Sequence, residues 1–194
     1  LGRDEAARIG DVIRRHPVHA NPRKVAGVAA VQATDHDHQI NRLLVEQRED
    51  RMPRRLSKSE ISQWRVLDAA AKIFRDNGYV GTTMRAIADE ADLKAGSIYY
   101  HYKSKDELIS AMLDMGISTV MQSVTESLEK LGDDVSGRER IECAINAHLT
   151  AIISNGDYTL ATRRVFGQVP DAIRQRNLRL RDRYAVIWKD ILEK

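Results

Sequence analysis

Thr82-Thr83-Met84-Arg85-Ala86-Ile87-Ala88-Asp89-Glu90-Ala91-Asp92-Leu93-Lys94-Ala95-Gly96-Ser97-Ile98-Tyr99-Tyr100-His101-Tyr102-Lys103-Ser104-Lys105-Asp106-Glu107-Leu108 is the stretch that decides the fold. It reads as two short helices joined by a tight turn, followed by the start of a longer third helix. Thr82 and Thr83 suit a helix start, because a hydroxyl accepts from the orphan N–H groups of the first turn. Met84, Ile87, Ala88 and Ala91 recur at helical spacing and face a core. Asp92-Leu93 makes the turn, since aspartate tolerates left-handed backbone better than most non-glycine residues.

In the next short helix Ile98 and Tyr102 are four apart and share an inward face. Ser97, Tyr100 and His101 lie on the other side, with Tyr99 at the edge. Such a helix has few charges and many hydrogen-bonding tips. That is the composition of a helix that enters a DNA major groove and meets base edges and phosphates. Ser104 with Glu107 three residues later forms a capping box, so a new helix begins there. A helix N-terminus offers free N–H groups and a positive dipole end to an anion. With Lys103 and Lys105 beside it, this predicts a phosphate clamp; a plain capped helix with solvated lysines is the alternative.

Upstream, Val66, Leu67, Ala70, Ile73 and Phe74 form one apolar stripe at helical period, and Gly78 fits the position just past a helix end. The order is helix, Gly-Tyr loop, Thr-capped helix, turn, aromatic helix, Lys-Ser-Lys, long helix. From Val66 to Leu113 this resembles the TetR family of bacterial transcriptional regulators in sequence and spacing. The family usually has Gly-Val at the turn, so Asp92-Leu93 is a departure. The resemblance implies an all-α fold: an N-terminal three-helix helix-turn-helix DNA-binding domain, then a helical ligand-binding and dimerisation domain that is incomplete here. The boundaries expected are 1–55 for a disordered basic and polar extension, 56–103 for the helix-turn-helix and 104–194 for the second domain. The DNA-contacting set expected is Thr83, Arg85, Ala95, Gly96, Ser97, Tyr99, Tyr100, His101, Lys103 and Lys105, with Arg85 resembling a base-reading position of some family members.

The chain has 194 residues and a formal net charge of +3, a mild excess that is compatible with DNA binding without proving it. Arg51, Arg54, Arg55, Lys58 and Arg65 are expected to precede the first helix as an arm that reaches DNA backbone, or else to form a solubilising tail. Cys143 is the only cysteine, so an intrachain disulfide is excluded and a reducing, cytoplasmic compartment is expected. No apolar run approaches the roughly 18 residues that span a bilayer, so no membrane partner is expected, and no signal peptide is visible. Residues 1–51 look like an upstream extension, with Met52-Pro53-Arg54-Arg55 as a natural beginning and one short helix at Asp4 to Arg15. His36 and His38 with flanking carboxylates read as a solvated tail rather than a metal site. No metal or cofactor is expected.

After Lys105 the chain reads as all helix. A fourth helix runs toward Leu131 on Leu108, Met112, Met115, Val120 and Val124. Gly132 to Gly137 is a loop. A fifth helix runs from about Arg138 to Ser154 on a stripe of Ile141, Ile145, Leu149 and Ile152, and Asn155-Gly156-Asp157 stops it. Leu160 to Phe166 is a short helical piece. Pro170 fits the first turn of another helix, with Ile173, Leu180, Tyr184, Ile187, Trp188 and Ile191 buried. Its arginines, Arg174, Arg176, Arg179, Arg181 and Arg183, read as a solvated face, with contacts to the phosphates of an acyl-CoA thioester as the alternative that a faint resemblance implies. That last helix has no stop signal, and the family usually continues into two dimer-forming helices, so a C-terminal truncation is expected.

The resemblance further implies a ligand pocket enclosed by the C-terminal helices. Its candidates are Met112, Met115, His148, Ile152, Phe166 and Trp188; ordinary core packing is the alternative, since methionine is a common core filler. The sequence faintly resembles regulators that sense acyl-CoA thioesters. The function implied is a ligand-responsive DNA-binding regulator, a repressor on a palindromic operator. It would act as a homodimer when full length and be released by a small apolar or acyl-CoA-like effector. No nucleophile elbow, phosphate-binding glycine loop or metal motif appears, so an enzyme is not expected. A ligand-independent structural DNA-binding protein is the other class, marked by uniform, salt-sensitive binding.

Overall fold

The computed structural model describes residues 57–132 and 134–193. Within them the chain is all helix: α1 Lys58–Asn77, α2 Met84–Glu90, α3 Ala95–His101, α4 Lys105–Glu129, α5 Gly137–Ser154, α6 Gly156–Val165 and α7 Asp171–Leu192. The expected 1–55 extension lies outside the described residues, and with it Arg51, Arg54, Arg55, the Asp4–Arg15 helix and the His36/His38 pair. No described helix is long and apolar enough to cross a membrane.

α1 starts two turns earlier than its apolar stripe suggests. Ser57 accepts from the Glu60 N–H at 3.2 Å, and the Glu60 carboxylate accepts from the Ser57 N–H at 2.8 Å, a complete capping box. Lys58 and Arg65 therefore belong to the helix and not to a preceding arm. Arg65 Nη2 instead donates to the Ala91 carbonyl at 2.8 Å, closing the C-terminal end of α2. Val66, Leu67, Ala70 and Phe74 are buried as the stripe requires, with Ile73 partly buried.

Gly78 ends α1 at φ 70° and ψ −178°, a conformation essentially confined to glycine. Thr83 caps α2 by accepting from the Ala86 N–H at 3.1 Å. Thr82 does not cap the helix. It is buried, and its hydroxyl donates to the Gly78 carbonyl at 2.6 Å. Asp92 takes the left-handed turn at φ 53°. Asp92 N–H donates to Asp89 and Leu93 N–H to Ala88, at 3.2 and 3.0 Å. These are the two bonds of a Schellman ending, with aspartate where glycine is usual.

At α4, Ser104 accepts from the Glu107 N–H at 3.1 Å, but the Glu107 carboxylate reaches the Lys103 N–H at 2.8 Å, one residue before the N-cap. The expected reciprocal box is thus displaced by one residue. α5 differs from its expected orientation. Ile145 and Leu149 point outward, 43% and 50% exposed, while Ala144 and Ala151 are buried and Ala147 packs beside them. Small residues let α5 approach α4 closely, and Ser123 Oγ donates to the Ala147 carbonyl at 3.3 Å. α6 begins at Gly156 and not near Leu160, because Asn155 alone breaks the chain direction and both its N–H and its amide donate to Ala151.

Two buried clusters hold the described helices. One joins α1, α2, α3 and the start of α4 to Tyr158, Ala161 and Val165 of α6. The other joins Val120 and Val124 of α4 to α5 and to Tyr184 and Ile191 of α7. Gly116 of α4 sits where a Cβ would lie 3.6 Å from Tyr158 Cβ, which sets the close α4–α6 spacing. The arginines of α7 are not all solvated: Arg176 Nε donates to the buried Asp114 carboxylate at 2.7 Å.

Candidate DNA-reading helix and effector cavity

α3 is held from behind. Ile98 is fully buried, Tyr102 is 4% exposed, and Gln63 of α1 donates to the Tyr102 hydroxyl at 3.2 Å. Burying one such isoleucine stabilises the packing by about 1.5–3 kcal/mol. The opposite face is open. Tyr99 is 52% and Tyr100 79% exposed, far more than packing would leave for rings of that size. Ala95 and Gly96 are exposed on the first turn, nothing lies within 4 Å of a Cβ placed at Gly96, and Ser97 is half-buried. Arg85 is exposed with no partner among the described residues, and the Lys103 side chain is exposed. Lys94, exposed at the N-cap of α3, joins this surface although the motif alone did not point to it; its signal is a lysine opening the aromatic helix.

Two expected contacts are turned inward. His101 Nε2 lies 3.1 Å from Ser62 Oγ, which ties α3 to α1. Lys105 Nζ donates to the carbonyls of Tyr79 and Thr82 at 2.9 and 3.1 Å and sits 4.4 Å from the Tyr79 ring centroid. The Glu107 carboxylate occupies the N–H ahead of α4. In this structure Lys105 is therefore a loop anchor rather than a free phosphate clamp, its ammonium held by the part-buried carbonyls of residues 79 and 82. The neighbouring Tyr79 hydroxyl bonds Asp106, which pushes its phenol up to about 12.

Deeper in the chain, α4, α5, α6 and α7 border a half-open cavity of about 610 Å³, within the range of small-molecule sites. Leu113, Ile117, Val120, Ile152 and Phe166 supply most of its apolar wall. His148 also lines it; its Nδ1 lies 2.7 Å from the Tyr184 hydroxyl, and burial lowers its pKa. Tyr158 lines the cavity too, and its hydroxyl donates to Asp68 Oδ1 on α1 at 2.9 Å. Beside it Arg75 Nη1 of α1 bonds Asp157 at 2.5 Å. One wall of the cavity is thus fastened to the helix that supports α3.

Residues 66–112 match the sequence profile of the bacterial regulatory proteins of the tetR family. Over those residues the chain carries the DNA-binding domain of TetR-type regulators. It is 27% identical to the fatty acid metabolism regulator protein of Bacillus subtilis over 131 residues, 66% of this chain and 60% of that protein. It is 36% identical to the HTH-type transcriptional repressor KstR2 of Mycolicibacterium smegmatis over 73 residues, 34% of this chain and 36% of that one. The chain thus spans less than two thirds of the length of these curated relatives. Among solved structures, the regulator FadR from Bacillus subtilis in complex with stearoyl-CoA superposes with a TM-score of 0.58. At 20% identity, over 67% of this chain and 68% of that one, it shows the shared fold. These TetR relatives are transcriptional regulators rather than enzymes.

Of the six pocket candidates, the TetR-like helical body brings His148, Ile152 and Phe166 to the cavity wall. Met112 is fully buried in the first cluster and Met115 packs against it. Trp188 stands behind the wall, edge-on to His148 at 5.7 Å between ring centroids. Tyr158 and Asn177 also line the wall and were not expected from the sequence, and Arg181 lines it where the sequence favours a solvated charge. The Asn177-to-Arg181 spacing, one helical turn, was the signal for the pair on α7.

Proposed function

We propose that this chain is part of a ligand-responsive transcriptional regulator of the cytoplasm that binds duplex DNA through α3 and senses a small apolar effector in the α4–α7 cavity. The observation that carries the reading is the pair of exposed rings, Tyr99 and Tyr100, on a short helix whose other face is locked to α1. A rigidly held helix with free polar tips is what major-groove reading requires. Arg85, Lys94 and Lys103 border it as phosphate or base contacts.

A palindromic operator bound by a homodimer fits this reading, since one helix-turn-helix reads too few base pairs to find a single genomic site. Repression is supported by the relative KstR2, itself a repressor. The acyl-CoA class of effector is supported by the neighbour solved with stearoyl-CoA and by the relative named for fatty acid metabolism. The link from effector to DNA is the Tyr158–Asp68 bond: an occupant that moves Tyr158 moves α1, and α1 carries α3.

Footprinting of the DNA around the gene with the full-length protein tests the proposal. A palindromic protected site is expected. Tyr100→Ala should weaken it by about 1–3 kcal/mol, and Arg85→Ala should change sequence preference as well as affinity. Uniform binding that only tracks salt would instead support the structural DNA-binding class.

A further inference from the structure

The charged side chains on the cavity wall are Arg163 and Arg181, and no carboxylate lines it. Both are exposed residues at the cavity's mouth, and Arg181 is the better held. Its Nε donates to Asn177 Oδ1 at 3.1 Å, and Asn177 is 1% exposed, so the anchor is fixed. The guanidinium lies 4.3 Å from the centroid of the Phe166 ring, another wall residue. Arg174 and Arg176 of the same helix have acidic partners, Asp171 and Asp114. Arg181 has no acidic partner among the described residues, and its two Nη groups meet no acceptor there.

A guanidinium oriented through Nε and stacked on a ring presents its remaining N–H fork in one direction. That fork matches an anionic head with two oxygens. An uncharged occupant that covered Arg181 would take water from the guanidinium and give it no partner. An anion would pair it while its apolar body lay along Ile117, Val120 and Ile152.

We propose that the cavity selects an apolar molecule with an anionic head, and that Arg181 is the residue that takes the head. The inference rests on reading the cavity as the effector site. The head chemistry is shared by a free carboxylate and by the phosphates of a coenzyme A thioester.

Fluorescence-displacement titration of the whole chain with laurate, methyl laurate and lauroyl-CoA tests it. At least one anionic probe should bind about tenfold or more tighter than the methyl ester. Arg181→Gln should remove that preference, with the ester bound at least as tightly as before because no cation is left to cover, and an unchanged helical circular dichroism spectrum shows that the variant is folded. Arg181→Lys should recover part of it. Loss confined to laurate identifies a carboxylate head, and loss confined to lauroyl-CoA a phosphate head. Equal binding of ester and anions, no binding of any probe, or anion binding indifferent to Arg181→Gln overturns the proposal. Ile152→Trp, which fills the cavity, separates the two levels. If it abolishes binding of every probe while Arg181→Gln keeps the anion preference intact, the cavity reading stands and the role of Arg181 falls. If it changes nothing, the cavity reading itself falls.

Discussion

Gly78 is the position where one methyl group should do the most damage. Its φ of 70° and ψ of −178° lie in a region that other residues reach only at about 1–3 kcal/mol. A Cβ there would stand 2.9 Å from Gln168 Oε1 and 3.3 Å from its Nε2. The glutamine can swing away, but Oε1 is the acceptor of the Tyr79 N–H at 3.0 Å, so yielding breaks that bond. Losing it costs about 1 kcal/mol. Gly78→Ala should therefore destabilise by roughly 2–4 kcal/mol in total. Urea unfolding followed by helical circular dichroism measures this as a lower midpoint at unchanged slope. Gln168→Ala alone should cost only the Tyr79 bond, and Gly78→Ala on that background should cost only the backbone term. The two changes should thus couple by about 1 kcal/mol. A Gly78→Ala loss under about 1 kcal/mol, or strict additivity with Gln168→Ala, would refute the account of strain and collision.

Three further outcomes follow from particular contacts. Asp92→Gly should raise stability by about 0.5–1 kcal/mol, because glycine takes the left-handed turn freely and the lost 3.7 Å pair with Arg65 is exposed; a lower melting temperature counts against it. Tyr158→Phe should lower stability by about 1–3 kcal/mol, the value of a hydrogen bond to a charged acceptor, and leave effector binding intact while blunting effector-driven release of DNA; normal release in that variant would break the proposed link. His148 is held below its ordinary pKa by burial, so the unfolded chain takes the proton first. Its contribution should be flat above about pH 6.5 and destabilising as pH falls below that. His148→Gln should flatten the acid limb of stability against pH, and parallel curves for the two proteins would dismiss the effect.

The helix-turn-helix was legible from residue order because its signals are local. Thr83 as a cap, Ile87 and Ala88 facing inward, Ile98 paired with Tyr102 and Gly78 after a helix are all decided within a turn or two of chain. Even the departure at Asp92 kept its turn, since the two Schellman bonds need only backbone groups. The capping box at Ser57 is equally local, although the arginines around it make the segment look like an arm. Long-range choices were not legible. Whether Ile145 and Leu149 or Ala144 and Ala151 of α5 face inward depends on how closely α4 approaches, and hydrophobicity alone favours the larger residues. Lys105 and His101 look like free polar tips in the sequence. Only the fold brings the Tyr79 and Thr82 carbonyls to the lysine and Ser62 to the histidine, 23 to 39 residues away along the chain. Arg181 shows the same limit in reverse. On a helix rich in arginine it reads as one more solvated charge, and it becomes a cavity residue because Phe166, from the α6–α7 connection, lies under it. Local pattern decided which segments are helices and which short one reads outward. Packing among segments far apart in sequence decided which side chains are free, which are anchors and where a cavity opens.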